Sequence, residues 1–224
     1  MVKGKTTIIV PAYLNTELSL NMTIACIGNI TKYTDDKDYE LILIEDVPKH
    51  GFRNDWKTFR IEEHIILPER TNYATKMNMA AKKAKGEYLA FIQNDCFVWE
   101  GWLPNLRWYL EHGDGCIIPH QFPNKPRQWV KDTYTQTFEE CRSQGARDAC
   151  MIMITREAFD KTGGFNEDME AFVEADFYER MGRVGVKQDT TSKVIVTHIG
   201  LSTHSQNQEE FDRAVHHDSL IRNK

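Results

Sequence analysis

Three places along this chain hold side chains whose types and spacing suit catalysis. Gln93-Asn94-Asp95 combines two amides with a carboxylate. Hard oxygen ligands of this kind hold a divalent cation, which can bridge a diphosphate and neutralise its charge as it leaves; the same residue types also form turns and caps. Glu174 and Asp176 follow the run Gly163-Gly164-Phe165-Asn166-Glu167. Carboxylates beside a glycine-hinged turn can deprotonate a hydroxyl as a general base, and they equally suit the first turn of a helix, where the macrodipole favours negative charge. His198 closes an apolar run just before Ile199-Gly200. An imidazole there either completes an oxygen-rich metal shell or serves the strand end structurally.

The elements that would present these groups follow from apolar periodicity. Thr6–Val10 reads as a buried strand ended by Pro11, Leu18–Ile30 as a helix, and Glu40–Glu45 as a strand buried on both faces. His64–Leu67 is a short third strand, Tyr73–Lys85 a helix stopped by Gly86, and Glu87–Ile92 a fourth strand. Strand and helix in alternation imply a mostly parallel α/β sheet with helices on both faces. Ligands of such a sheet bind beyond the carboxyl ends of its strands, which singles out Pro11-Ala12-Tyr13, Glu45-Asp46 and Gln93-Asn94-Asp95. Further on, helices are predicted at Trp102–Glu111, Arg156–Lys161, Glu174–Arg183 and Gln208–Ile221, and strands at Cys116–Pro119, Ala149–Thr155 and Lys193–Thr197. Between them Gln121–Arg147 is polar and aperiodic, long enough to suggest a functional loop. Its Phe122, Arg127, Trp129, Tyr134 and Arg142 would either cover a ligand as a lid or pack as a satellite core. No repeat or linker divides the chain, so one domain is expected.

Composition removes several classes of function. The 224 residues carry 28 Lys+Arg against 33 Asp+Glu, a formal charge of −5, and 41% of them are apolar. That content fills a core and excludes disorder as the main state. The acidic balance excludes general binding to the nucleic-acid backbone, which needs clustered Lys and Arg. No apolar run approaches the roughly 20 residues of a transmembrane segment, and the N-terminus reads as a strand rather than a signal peptide. A cytoplasmic location is therefore expected. Cys26, Cys96, Cys116, Cys141 and Cys150 form no C-x-x-C pair and read as reduced core thiols.

Taken in order, these segments resemble the inverting family 2 glycosyltransferases of the GT-A fold. Thr7-Ile8-Ile9-Val10-Pro11-Ala12-Tyr13-Leu14-Asn15 is similar to the family's opening strand and P-x-Y/F-N turn, and Leu41–Asp46 to its second strand with an acidic end. Arg70–Asn78 and Ala81–Gln93 resemble the long block that leads into the D-x-D motif, most closely at Ala84-Lys85-Gly86-Glu87-Tyr88-Leu89-Ala90-Phe91-Ile92. Thr162-Gly163-Gly164-Phe165-Asn166-Glu167 matches G-G-F-D/N-E, and His198-Ile199-Gly200-Leu201-Ser202 matches H-x-G-x-S. The likeness runs from about residue 6 to residue 202.

The resemblance implies a GT-A fold, with residues 1–95 as a nucleotide-binding half, 96–207 as an acceptor-binding half and 208–224 as a C-terminal helix. It implies a hexosyltransferase-type activity, assisted by Mn²⁺ or Mg²⁺. A sugar would pass with inversion from a nucleotide-diphosphate donor (UDP-, GDP- or dTDP-sugar) to a hydroxyl of a glycan or other acceptor. On this pattern Pro11, Tyr13 and Glu45 contact the nucleoside, with Glu45 accepting from a base N–H. Arg70, Lys76, Asn78, Gln93 and Asn94 meet the rest of the donor. Asp95 and His198 hold the metal. Glu174 is the base and Asp176 the second acid, the roles exchanging if the helix aligns differently. Asp148 and Gly164 fall beside the acceptor.

Three departures bear on these roles. Gln93 replaces the first aspartate of D-x-D, which leaves metal binding to Asp95 and the diphosphate, and equally suits a nucleotide-sugar-binding protein of the same fold that lacks transfer activity. Glu174 in place of aspartate lengthens the base by one methylene, about 1.5 Å. Asn72 stands where glycine is usual, a mild change because asparagine tolerates left-handed backbone. A sugar nucleotidyltransferase would need a glycine-rich, lysine-bearing loop after the first strand, and Tyr13-Leu14-Asn15-Thr16 is not one.

Overall fold

The structure is a computed structural model that describes residues 1–46, 51–123, 150–199 and 208–222. Eight strands form one sheet: β1 (Val2–Tyr13), β2 (Tyr39–Asp46), β3 (Glu63–Leu67), β4 (Gly86–Ile92), β5 (Cys96–Phe97), β6 (Cys116–Pro123), β7 (Met151–Thr155) and β8 (Gln188–His198). The helices are α1 (Glu17–Tyr33), α2 (Tyr73–Lys83), α3 (Trp102–Glu111), α4 (Arg156–Thr162), α5 (Val173–Arg183) and α6 (Gln208–Arg222). Asp148, the loop 124–147 with its aromatic and arginine residues, Cys141 and the Gly200–Ser202 end of the last motif lie outside the described residues.

The strand order is β3-β2-β1-β4-β7-β6-β8-β5. Strands β1 to β4 run parallel, β6 and β8 run the same way, and β7 and β5 oppose them. The expected α/β sheet is thus present, but its second half is mixed. The antiparallel neighbours, β4 with β7, β6 with β7 and β5 with β8, are all distant in sequence and form where the alternation of strand and helix breaks down after Gln93. The two-residue β5 is too short to leave a periodic trace in the sequence. Helices α1 and α3 cover one face, packing Cys26, Ile27, Ile30, Leu103 and Leu106 against Ile8, Val10, Leu41 and Leu43. On the other face α2, α4 and α5 bring Met77, Phe159 and Phe177 onto Ile9, Ile44, Phe91 and Ile152.

Local chemistry explains the helix starts. Thr16 and Ser19 form a reciprocal capping box at α1. Asn72 caps α2, its Oδ1 accepting from Thr75 N at 2.8 Å, with φ −65°. The left-handed tolerance expected to excuse Asn72 is therefore unused; the residue is there as a cap.

Gly86 does not stop α2, which ends at Lys83, but opens β4. Its amide donates to Thr7 Oγ1 at 2.9 Å, and that hydroxyl donates to Glu40 Oε1 at 2.5 Å. A Cβ on Gly86 would lie 2.6 Å from Thr7 N and 2.8 Å from Lys5 O. Backbone cannot give way as a flexible side chain can, so Gly86→Ala is expected to destabilise by about 1–3 kcal/mol. Urea unfolding of the two proteins at equal m-value checks this.

Candidate active site

The first wall of the site forms where β1 and β4 part. Their pairing ends at Ile9↔Phe91, while β1 continues beside β2 through Tyr13↔Asp46. Pro11 is buried in that continuation, past the last β4 partner, where its missing N–H costs no ladder bond to β4. A strand order that reverses between neighbours opens a crevice at the carboxyl ends, and Tyr13 stands at its edge. Arg70 lies over the Tyr13 ring, 5.1 Å from the centroid. Paired residues of adjacent strands share a face, so Asp46 lies on the Tyr13 side and Glu45 on the opposite one. Glu45 accordingly sits 3.2 Å from His64 Nε2, with Trp56 close to the same His64. The expectation that Glu45 meets the base alongside Tyr13 is corrected by this alternation: the carboxylate that shares the tyrosine's face is Asp46.

Asp46 is also where Lys76 goes. The Lys76 Nζ sits 2.7 Å from Asp46 Oδ2, and Thr71 N donates to Asp46 Oδ1 at 3.2 Å. Both members of the ion pair are buried. Burial pulls the Lys76 ammonium below its ordinary range even though Asp46 raises it. The expectation that Lys76 extends its charge to a diphosphate gives way to a pairing inside the wall. Exposed Arg70 is the cation of this group that faces outward.

The second element is the turn after β4. Asn94 Nδ2 donates to Thr23 Oγ1 at 2.8 Å, Gln93 N donates to Cys150 O at 2.8 Å and Cys96 N to Gln93 O at 3.0 Å. Asn94 is thereby tied to α1, while Gln93 remains half-exposed. Cys96 pairs with His198 across β5 and β8, and Ile199 N donates to Asp95 O at 3.1 Å. This short pairing carries His198 Nε2 to 3.3 Å from buried Asp95 Oδ1. Two ligand atoms each about 2.1 Å from one divalent ion are roughly 3.0–3.4 Å apart, so the pair fits two positions of one metal shell. Among the described residues no group of three or more His, Cys, Asp or Glu side chains could hold a metal.

The third element is the Gly163–Glu167 turn with α5. Gly163 and Gly164 both have positive φ, 83° and 72°, and a Cβ on Gly164 would lie 2.7 Å from Asn78 Oδ1. Asn78 is occupied by this turn: Oδ1 accepts from Phe165 N at 2.9 Å, and Nδ2 donates to Phe165 O at 2.9 Å and to Glu167 Oε1 at 2.8 Å. Its side chain fastens α2 to the turn instead of reaching a donor. Gly164, expected beside the acceptor, is buried and supplies close approach. Arg180 clamps the same turn through Thr162 O at 3.0 Å and Gly164 O at 2.7 Å. That arginine also binds Asp176 Oδ2 at 2.7 Å.

Glu174 occupies a different face of α5, one turn before Tyr178. Burial raises the Tyr73 and Tyr178 phenols well above their usual range, and the charge of Glu174 adds to both shifts, as does Cys150. Cys150 Sγ is in turn 3.3 Å from Cys96 Sγ, next to Asp95. Tyr73 and Tyr178 thus lie within electrostatic reach of both Glu174 and Cys150. The two expected acids are separated by environment: Asp176 is paired with Arg180, and Glu174 lies on the Tyr178 side of α5.

Sequence reasoning missed Asp218. This buried residue of α6 accepts backbone N–H bonds from Glu170 at 2.9 Å, Ala171 at 2.8 Å and Phe172 at 2.7 Å. The available signal was its place between Ala214 and Ile221, at i, i+4 and i+7 on the face of α6 that turns inward. An aspartate at a buried stripe position needs donors from elsewhere.

Comparison with known families places the chain. The model of Glycosyl transferase family 2 matches residues 7–166, well over half the length, and the chain belongs to that family. Among solved structures it is similar to a mannosyltransferase, PcManGT, from Pyrobaculum calidifontis in complex with GDP-Man and Mn²⁺ (TM-score 0.69, 15% identity, covering 98% of this chain and 64% of that one). It is also similar to S. aureus TarS 1–349 (0.67, 13%, 87% and 60%). GalNAc-T7 with UDP, GalNAc and Mn²⁺ shares the fold as well (0.66, 13%, 87% and 44%). The chain thus spans about half to two thirds of these proteins, which are GT-A fold glycosyltransferases. No curated protein sequence matches it.

Two expectations follow from the site's buried charges. Lys76→Ala strands the Asp46 carboxylate and is expected to cost about 3–5 kcal/mol; Asp46→Asn combined with Lys76→Met should cost clearly less, as urea unfolding of single and double variants will read. For Asp218, burial would raise the carboxyl, but the backbone N–H groups of Phe172, Glu170 and Ala171 and the His217 contact carry it below its ordinary value. An unfolded aspartate titrates near about 3.9. Stability contributed by Asp218 is then complete above that pH and is lost as pH falls through the lower folded value. Asp218→Asn is expected to flatten this part of the acid limb in unfolding midpoints measured from pH 6 to pH 2.

Proposed function

We propose that this chain transfers a hexose from a nucleotide-diphosphate donor to an acceptor hydroxyl with inversion, and that Glu174 is the base. The observation that carries the reading is the Asp95–His198 pair, 3.3 Å apart beyond the end of β4, with the Glu174 carboxylate at the start of α5 beside Tyr73 and Tyr178. Tyr13 offers its ring to the nucleobase, with Arg70 above it and the Asp46–Lys76 pair setting the adjoining wall. Arg70 is placed to meet diphosphate charge. Asp95 and His198 would hold a divalent ion, with further ligands from the diphosphate and water, consistent with Mn²⁺ in the two nucleotide-bound neighbours. When bound, that ion supplies compensation of the charge that develops on the leaving nucleoside diphosphate.

The protein's own residues do the rest. Glu174 Oε takes the proton of the acceptor hydroxyl as its oxygen attacks the anomeric carbon from the face opposite the leaving group, and a single displacement inverts that carbon. Arg180 neutralises Asp176 and secures the turn beneath it, so that one carboxylate and not two answers the acceptor.

The test is direct. Calorimetry with UDP, GDP and dTDP in the presence and absence of Mn²⁺ should find one nucleotide that binds, with affinity lost in EDTA and in Asp95→Ala. Glu174→Gln is expected to keep that affinity and lower donor turnover about 10²–10⁴-fold, while Asp176→Asn falls far less. Unchanged turnover in Glu174→Gln would remove the base assignment. Binding without turnover in the wild type would make the chain a nucleotide-sugar-binding protein instead.

A further inference from the structure

We infer that Asp218 is a positioning residue for Glu174: the C-terminal helix α6 caps, from outside, the segment that presents the base. This rests on Glu174 being the base. Helix α5 begins at Val173, and its N-cap Phe172 has no side chain able to accept from the first-turn amides. The three residues that lead into it, Glu170, Ala171 and Phe172, point their N–H groups at one carboxylate. Oδ1 takes the first and Oδ2 the other two. That carboxylate belongs to α6, more than 40 residues further along the chain, and is fully buried. It is flanked by His217, whose Nδ1 lies 3.3 Å from Asp218 Oδ1.

The arrangement has a definite mechanical content. A buried anion accepting three N–H groups binds more firmly than neutral acceptors would, and its charge sits at the positive end of the α5 dipole. Glu174 is two residues beyond the last of these amides. The turn on the other side of Glu170 is held by Asn78 and Arg180, and Met169 and Val173 on either side are buried in the second core cluster, so Asp218 supplies the polar hold on the exposed backbone between them. Ile221 packs on the second core cluster, and Ala214 is buried on the other side of the aspartate. The apolar stripe provides the docking, and the aspartate at its centre fixes the register of the docked segment.

The experiment compares wild type, Asp218→Ala and Asp218→Asn in the full chain. Its readouts are hydrogen exchange at 170–174, Mn²⁺-dependent nucleotide binding, and steady-state turnover of whichever UDP-, GDP- or dTDP-sugar the wild type uses. Expected for Asp218→Ala are exchange at least tenfold faster at 170–172 and a kcat about 10–100-fold lower. Donor KM and nucleotide affinity should stay within about twofold, the pattern of a misplaced base rather than a damaged donor site. Asp218→Asn keeps one acceptor oxygen and should fall between. It serves as the deciding variant should the alanine protein not fold. Unchanged exchange in Asp218→Asn, a kcat within about twofold of wild type despite faster exchange, or a parallel collapse of nucleotide affinity and kcat would each overturn the inference. A wild type that turns over no donor would instead overturn the transferase reading, and the exchange comparison would still decide whether Asp218 holds this segment.

Discussion

The two-residue pairing between β5 and β8 is the contact on which the site depends. It places Cys96 opposite His198, lets Ile199 N bind Asp95 O, and so sets an imidazole beside a buried carboxylate more than 100 residues away. Without it the turn after β4 would offer a single carboxylate and two amides, too few ligands to hold an ion at a defined point. The pairing exists because β8 runs along β6 from Cys116↔Gln188 to Pro123↔His198, with a register shift between Pro119 and His120. A shift of this kind re-aims the strand end, and here the end that is re-aimed carries His198.

Around that junction three polar side chains serve placement. Asn78 holds Phe165 and Glu167 in the turn before α5, Arg180 holds Thr162 and Gly164 from the other side, and Asp218 holds the residues that enter the helix. Each of these groups bonds backbone atoms of the loop, which is how a loop can be fixed as firmly as a strand. The cost is specificity of sequence: an asparagine, two adjacent glycines, an arginine and a distant aspartate must occur together. The return is a carboxylate, Glu174, presented from a helix end that has no side-chain cap of its own.

Much of this was legible from local pattern. The strands β1, β2 and β4 announce themselves by continuous apolar runs, because both faces are buried; α3 is found at Trp102–Glu111 with its expected limits. Asp95, His198 and Glu174 were visible as strand-end or helix-start residues. The misreadings have separate physical causes. Glu45 and Asp46 are adjacent acids, and choosing between them requires knowing which face of β2 turns to the site; Tyr13↔Asp46 in the register decides it. Lys76 looked available because nothing local reveals a partner 30 residues earlier. Gly86 was read as a helix stop, whereas its lack of a side chain answers to the Thr7 backbone in the neighbouring strand.

By itself the sequence determined the α/β alternation, the buried central strands and the short list of acids and imidazoles fit for chemistry. These depend on side-chain periodicity and residue type, which a linear reading contains. Only the tertiary structure decided which of those groups face one another: Asp46 with Lys76, Asp176 with Arg180, Asp95 with His198, and Asp218 with the amides ahead of α5. In every case the partners are brought together by strand register or by helix docking, and the energy of a buried charge is settled by its neighbours in space. A carboxylate's role therefore stays open until the fold has assigned it a cation, a row of N–H groups or a place beside other site residues.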